Sequence, residues 1–426
     1  MPVQVISIPS PYRHIVFAAG ALALIAGCVY SAAIGFANTI ARNSDAVELS
    51  EFAVEASGGD PQAHYAYAAD LERTFDPANI ERSLTEYERA AALSPNNFIY
   101  WLGLGQARER AGERAEAEQA FRAALRLAPN YARTRWALGN NLVRQGKIGE
   151  GMELIRGAVD QDAAYTAPAV IAALQAFDGD TRRAIEALGS TPQAAAAAAK
   201  QLAGQERYDE AAATWQGIAP EARRSAKIAD AGKEILAKFI GAKRFRDAAV
   251  VAADVSAEDG SGYPTGTISN GGFESGVSLQ GAGPFAWQIG QGVYPQIALV
   301  ERDPSEGKFS LAVIFNVPTD LGSRTISKLT PVEPGRSYDL LFSSKASLKT
   351  RAEFRWEVAS ANDGVRLAVS GPAANEARWA EQRVRFAVPL DTDGVIVRMV
   401  REGCVPPSCT VEGNIWFDGF RLEPAG

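Results

Sequence analysis

Residues 98–131 read FIYWLGLGQARERAGERAEAEQAFRAALRLAPNY, and the landmarks of this stretch recur 34 residues away. Phe121 stands midway between Tyr87 and Ile155, Ala124 between Ala90 and Ala158, and Ala117 between Ser83 and Gly151. Gly105 repeats at Gly139, Gly112 at Gly146, Leu93 at Leu127 and Pro95 at Pro129. A fixed period with small residues in fixed places marks a helix–turn–helix unit stacked on copies of itself. The small residues let two helices approach closely, and the aromatic or aliphatic position wedges against the next copy. The proline ends the second helix because it cannot continue one. Such stacks present extended surfaces that hold other molecules, so the pattern points to binding rather than to a reaction.

Trp101, Leu102, Gly105, Gly112, Ala117, Phe121, Ala124 and Pro129 together closely resemble the tetratricopeptide repeat (TPR) pattern. The resemblance implies an all-α solenoid that binds a protein partner on its concave face. Three departures stand out. The third copy carries its tryptophan one place late, at Trp136, and Ala163 replaces its terminal proline. The first copy has an extra turn, Phe75-Asp76-Pro77-Ala78, between its helices. Upstream, residues 44–60 read as a capping helix. Downstream, Tyr208-Asp209-Glu210-Ala211 and Phe245-Arg246-Asp247-Ala248 echo each other and read as decayed repeats. The alanine run 194–199 favours helix, with Thr191-Pro192 as its start. The expected solenoid therefore spans 44–255, with 165–200 as a single spacer in the alternative reading.

Residues 15–41 contain no charge, and their most apolar part, 15–36, would form a helix of roughly 33 Å, enough to cross a bilayer core. Arg13 and Arg42 bracket the run. A cleaved signal peptide, a lipoprotein signal ending at Cys28 within Ile25-Ala26-Gly27-Cys28, and an uncleaved signal anchor compete. The apolar run continues past Cys28 through Val29, Ile34 and Phe36, which favours an anchor over 15–37 behind a tail over 1–14. By the usual habit of such anchors the body faces the periplasm, from a bacterial inner membrane. Ala23, Gly27, Ser31 and Gly35 share one face, where another membrane helix would pack; an alanine-rich helix also gives such a strip by chance.

At Ser256 the composition shifts to Gly, Ser, Asp and Pro, and 256–267 reads as a linker. Short β-rich runs follow at 285–289, 294–300, 309–316, 338–344, 353–359, 383–388, 395–400 and 415–422, separated by turn pairs such as Asp363-Gly364 and Asp393-Gly394. Val384, Phe386 and Val388 alternate with Arg383 and Arg385, while Phe354, Trp356 and Val358 oppose Glu353, Arg355 and Glu357. This alternation over 268–426 predicts a two-sheet sandwich. Cys404 and Cys409, five residues apart, are expected to form a disulfide outside the cytoplasm; free thiols would suit a cytoplasmic body instead.

Asn270-Gly271-Gly272-Phe273-Glu274-Ser275-Gly276, Phe285-Ala286-Trp287, Gly307-Lys308-Phe309-Ser310-Leu311 and Ile415-Trp416-Phe417-Asp418-Gly419-Phe420, in this order, resemble the galactose-binding-like jelly roll of carbohydrate-binding modules. That resemblance implies a structural calcium between Glu274 and Asp418, against the simpler reading that Glu274 caps a turn and Asp418 meets an arginine. Sugar binding needs exposed rings. Trp356 and Trp416 lie in alternating strands and read as core; Trp379 is a further available ring, and Trp287 and Tyr294, near loops, are the candidate platforms.

Composition narrows the function. The 426 residues are 47% hydrophobic and 22% charged, with net charge −7 and two histidines, His14 and His64. No basic stripe suits nucleic acid, and no Ser-His-Asp or Cys-His constellation can be assembled. A carboxylate-pair glycan hydrolase survives on inventory alone. Gly103-Leu104-Gly105 sits in a helix and Gly307-Lys308 lacks a phosphate loop's upstream glycine. The expected function is a non-catalytic membrane scaffold, with the stack holding a protein and the sandwich a glycan or protein. The arrangement resembles accessory proteins of exopolysaccharide or O-antigen assembly. The rival is an interaction subunit of a large membrane complex with no glycan binding.

Overall fold

The computed structural model describes residues 10–43, 46–255, 262–278, 282–319, 324–404 and 409–425. The tail through residue 9, the linker residues 256–261 and the 405–408 loop lie outside the described residues. The chain forms two compact units, Met1–Gly189 and Ser190–Gly426.

The first unit is all helix. The apolar helix α1 (Ser10–Asn43) leads to α2 (Val47–Ala56), and hairpins follow: α3 (Pro61–Arg73) with α4 (Asn79–Leu93), α5 (Phe98–Arg110) with α6 (Arg114–Leu127), α7 (Ala132–Arg144) with α8 (Ile148–Gln161). A short 3-10 turn precedes α9 (Thr166–Ala176) and α10 (Thr181–Ala187), so 165–189 is a hairpin of its own. Local chemistry starts several helices. The Asp60 carboxylate accepts from Gln62 N at 2.9 Å and the Asn97 side chain from Ile99 N at 3.1 Å, satisfying amides that a helix start leaves open.

Each landmark of the 34-residue pattern has a physical cause. A Cβ at Gly105 would lie 2.5 Å from the Phe121 ring, and one at Gly139 would lie 2.8 Å from Ile155. Only hydrogen fits where α5 meets α6 and α7 meets α8. Gly112 and Gly146 hold φ of +85° and +82°, the left-handed conformation that stops a helix. Phe121, Ala124, Leu138 and Leu142 are buried together between them. The late tryptophan is also explained. Trp101 donates its indole N–H to the Pro95 carbonyl at 2.8 Å. Thirty-four residues on, Arg135 donates Nε–H to the Pro129 carbonyl at 2.9 Å, leaving Trp136 to pack on Tyr165 at 5.2 Å. His64 is a buried structural residue, bonded to Glu86 at 2.5 Å and the Gly58 carbonyl at 3.0 Å.

Among the described residues, one helix is long and apolar enough to cross a membrane, over Tyr12–Ala32 of α1. Ala23, Gly27, Ser31 and Gly35 lie exposed along it, and a Cβ at Gly27 or Gly35 would meet nothing within 4 Å.

The second unit opens with α11 (Pro192–Gly204), α12 (Tyr208–Gln216), the short α13 (Pro220–Arg223), α14 (Ala229–Gly241) and α15 (Phe245–Val255). Tyr208 and Phe245, the two echoing positions, begin α12 and α15. Ten strands follow: β1 (Gln288–Ile289), β2 (Gln296–Val300), β3 (Ser310–Thr319), β4 (Ile326–Pro331), β5 (Ser337–Lys349), β6 (Glu353–Ser360), β7 (Arg366–Val369), β8 (Ala380–Ala387), β9 (Gly394–Glu402) and β10 (Val411–Pro424). They build two antiparallel sheets, ordered β1-β4-β9-β6-β7 and β2-β3-β10-β5-β8. Phe273, Trp287, Phe342, Trp356, Phe417 and Phe420 fill the core of the sandwich.

Here the expected division at 256–267 differs from what is seen, because α11–α15 belong to the same compact unit as the sandwich. Phe285 supplies one reason. It was expected in a strand, yet only Gln288–Ile289 is extended there, and the Phe285 ring lies in a cluster with Trp215, Phe239 and Phe245 of the helices. Asp393 supplies another. Its carboxylate accepts from Phe245 N at 2.9 Å and Arg246 N at 3.2 Å, capping α15 from the turn before β9. A Cβ on the neighbouring Gly394 would lie 2.5 Å from the Phe245 ring.

Candidate interaction surfaces

In the first unit, α5 and α7 place Gln106, Glu109, Arg110, Arg133 and Arg144 around a cleft of about 400 Å³. Each lies on the first helix of its hairpin. Arg110 pairs with Glu72, and Arg144 with Glu109 at 3.0 Å. Arg133 is exposed. Burial pushes the Tyr65 and Tyr165 hydroxyls above their usual range, while the Arg133 charge opposes the shift on both. The cleft thus brings together three guanidinium groups, two of them paired with carboxylates, and the Glu109 side chain.

In the second unit, strand parity decides which rings are free. Ile415 and Phe417 point into the core, so Trp416 between them stands on the outer face of β10, level with Lys345 of β5. The Lys345 ammonium sits 4.5 Å from the Trp379 ring centre and 5.5 Å from that of Trp416. It donates to the Asp303 carbonyl and carboxylate, each at 2.7 Å, and the Trp379 indole N–H donates to the same carbonyl at 3.0 Å. The lysine is buried beneath two half-exposed rings that it holds in place. Farther along the same face, Ser347 pairs with Asn414, and together with Lys349, Asn375 and Glu412 they line a polar cleft of about 420 Å³.

The expected site residues fall differently. Trp287 is 2% exposed, packs on Phe273, Trp356 and Phe420, and gives its indole N–H to the Asn270 carbonyl at 2.9 Å; it is core and offers no face to a sugar. Tyr294 stays exposed at 39%, on the loop before β2. Trp356 is core as expected, whereas Trp416 is not. The alternation Ile415-Trp416-Phe417 carried that signal, since two apolar neighbours of equal parity claim the inner face. Nothing in the sequence marked Lys345 or Asp303, which come together only through the fold.

Glu274 and Asp418 converge on one loop. Glu274 Oε1 accepts from Lys308 N at 2.8 Å and Phe309 N at 3.0 Å. Asp418 Oδ2 accepts from Ser305 N at 2.8 Å and Glu306 N at 3.0 Å, and Oδ1 accepts from Gly419 N at 2.8 Å. Burial raises the Asp418 pKa, and these amides pull it back. Glu274 does cap a turn, but Asp418 meets amides rather than an arginine. Glu274 Oε1 and both Asp418 oxygens are thus engaged by backbone amides, and no group of three or more His, Cys, Asp or Glu side chains able to hold a metal exists among the described residues. Cys404 and Cys409 are joined as a disulfide, with Cα atoms 5.6 Å apart.

No curated protein matches the chain. Among solved structures, a MamA fragment (41 to the end) from Desulfovibrio magneticus RS-1 is 20% identical, covering 37% of this chain and 92% of its own, with TM-score 0.32. A structure described as "CBM4 structure and function" is 18% identical, covering 37% of this chain and 99% of its own, with TM-score 0.28. TmCBM61 in complex with beta-1,4-galactotriose is 15% identical, covering 37% and 97%, with TM-score 0.27. A family model described as tetratricopeptide repeat matches residues 29–188, a span that closes one residue before the first compact unit does and leaves α11–α15 outside it.

Proposed function

We propose that this chain is a membrane-tethered scaffold whose helical stack captures a segment of a partner protein in the arginine-lined cleft across α5 and α7. The observation that carries the reading is the clustering of Arg110, Arg133 and Arg144 at one cleft of a repeat stack. The α1 helix is the anchor, from a bacterial inner membrane, with the body in the periplasm. The Cys404–Cys409 disulfide supports the outward side, because such bonds persist in oxidising compartments. The small-residue face of α1 is then free for a second membrane helix. Co-purification of the full chain in mild detergent tests the reading: Arg133→Glu with Arg144→Glu abolishes capture of the partner while melting is unchanged. Undiminished capture refutes it.

A second activity rests on the Trp379–Lys345–Trp416 group. Two supported rings beside a polar cleft are what a glycan requires, stacking for its CH-rich faces and hydrogen-bonding groups for its hydroxyls. We therefore assign glycan binding, in exopolysaccharide or other envelope assembly, to the outer face of β10 and β5. Affinity gels with polysaccharide test it. Trp416→Ala and Trp379→Ala each lose retention; retention by both variants, or none by the parent protein, leaves the sandwich as a structural part of a membrane complex.

A further inference from the structure

The helix α1 is longer than its apolar span. It runs unbroken for 34 residues, Ser10–Asn43, whereas the span ends at Ala32. The tetratricopeptide match opens at residue 29, inside α1, and α1 packs against α2 and α3. The first hairpin of the stack is therefore α1 itself with α2. Because α2 starts at Val47, four positions after α1 ends, the two helices in contact run antiparallel. From Arg13 to Asn43 the helix rises about 45 Å, and a bilayer with both headgroup layers is about 40–45 Å thick. With Arg13 among the headgroups on one side, Asn43 reaches the outer edge of those on the other, and α2 turns back into that layer.

The two faces of α2 differ accordingly. Ser50 and Ala53 are buried, and Val54 packs on Ala53 and on Ala63 of α3. The other face carries Leu49 and Phe52, 47% and 48% exposed. Ala56 follows one turn on, and Glu48 and Glu55 border the pair, all three exposed. Phe52 lies five residues into α2, about 8 Å back toward the bilayer. We infer that the partner of this face is the lipid surface: α2 lies in the outer headgroup layer, with Leu49 and Phe52 at the acyl boundary and Glu48 and Glu55 among the ammonium groups of zwitterionic headgroups. Amphipathic helices bind at this level through their apolar side chains. The stack is then seated on the membrane through a helix pair. The inference rests on α1 being the anchor.

The test uses the full chain in nanodiscs of phosphatidylethanolamine and phosphatidylglycerol. Cys28, the free exposed thiol, is first replaced by serine, and a nitroxide is then attached at Phe52→Cys or, as a second site on the same face, at Leu49→Cys. Tyr30→Cys, inside the span, and Ile171→Cys, exposed on α9, set the lipid and water limits. Collision of the nitroxide with oxygen, which concentrates in lipid, is compared with collision with a water-soluble nickel chelate. The oxygen-to-nickel ratio at 52 and at 49 should fall between the values at 30 and 171. If 52 and 49 read as 171 does while 30 reads as lipid, α1 is the anchor and the inference about α2 is overturned. If 30 also reads as water, the anchor reading falls and takes the inference with it. Dipolar broadening at 52 that disappears on dilution with unlabelled protein would give the face to a second copy, and that too overturns the inference.

Discussion

The capping of α15 by Asp393 predicts that the C-terminal helices and the sandwich melt as one body. Asp393→Ala removes two bonds, to Phe245 N at 2.9 Å and Arg246 N at 3.2 Å. Loss of a helix cap costs about 1 kcal/mol, and a unit of this size loses about 2–4 °C in melting temperature per kcal/mol. Gly394→Ala is harsher. Its Cβ would lie 2.5, 2.7 and 2.9 Å from three atoms of Phe245, a buried side chain that cannot yield, and overpacking of this kind costs about 1–3 kcal/mol. The two changes share a neighbour and will not add. Fluorotryptophan NMR during thermal unfolding separates the reporters: Trp215 belongs to the helical cluster, Trp356 to the sandwich core. Both resonances should lose native intensity at one temperature, and both should move down together in each variant. If Trp215 melts apart from Trp356, or if Gly394→Ala shifts neither, the joint does not couple the parts and the argument fails.

Other outcomes follow from individual contacts. Because Glu274 and Asp418 bond to backbone amides, calcium and EDTA leave melting of the second unit unchanged; a rise with calcium would show that the loop reorganises around a cation. Reducing the Cys404–Cys409 bond lowers stability by about 2 kcal/mol on chain-entropy grounds, read from denaturant midpoints with and without reductant. The Arg385 guanidinium beside Asp339 holds that carboxyl below its usual range. Its contribution is present above the unfolded carboxylate pKa and is lost as pH falls through the lowered value. Asp339→Asn should therefore flatten the acid limb of the stability profile, and an unaltered limb would refute the assignment.

The repeats were legible because their cause is local. A glycine facing Phe121 and another facing Ile155 recur at a fixed interval, and periodicity reads such contacts directly. Strand parity was equally local, and it placed Phe354, Trp356, Val384 and Phe386 in the core. Ile415 and Phe417, on either side of Trp416, carry the same signal for its outward face. What stayed hidden is long-range. Phe285 sits at the end of a glycine-rich stretch, and nothing nearby says that its partner is Trp215. Asp393-Gly394 reads as a turn pair, yet its carboxylate starts a helix 148 residues earlier in the chain. Lys345 is a strand residue like any other until Asp303, Trp379 and Trp416 arrive from three other segments.

The exchange of Trp101 for Arg135 carries a lesson for recognising such stacks elsewhere. What this position supplies in both copies is a long side chain that reaches back to tie down a proline carbonyl, by an indole in one and a guanidine in the other. A helical hairpin can therefore be latched by a cation where its neighbour uses an aromatic ring, without loss of the tie to the preceding turn.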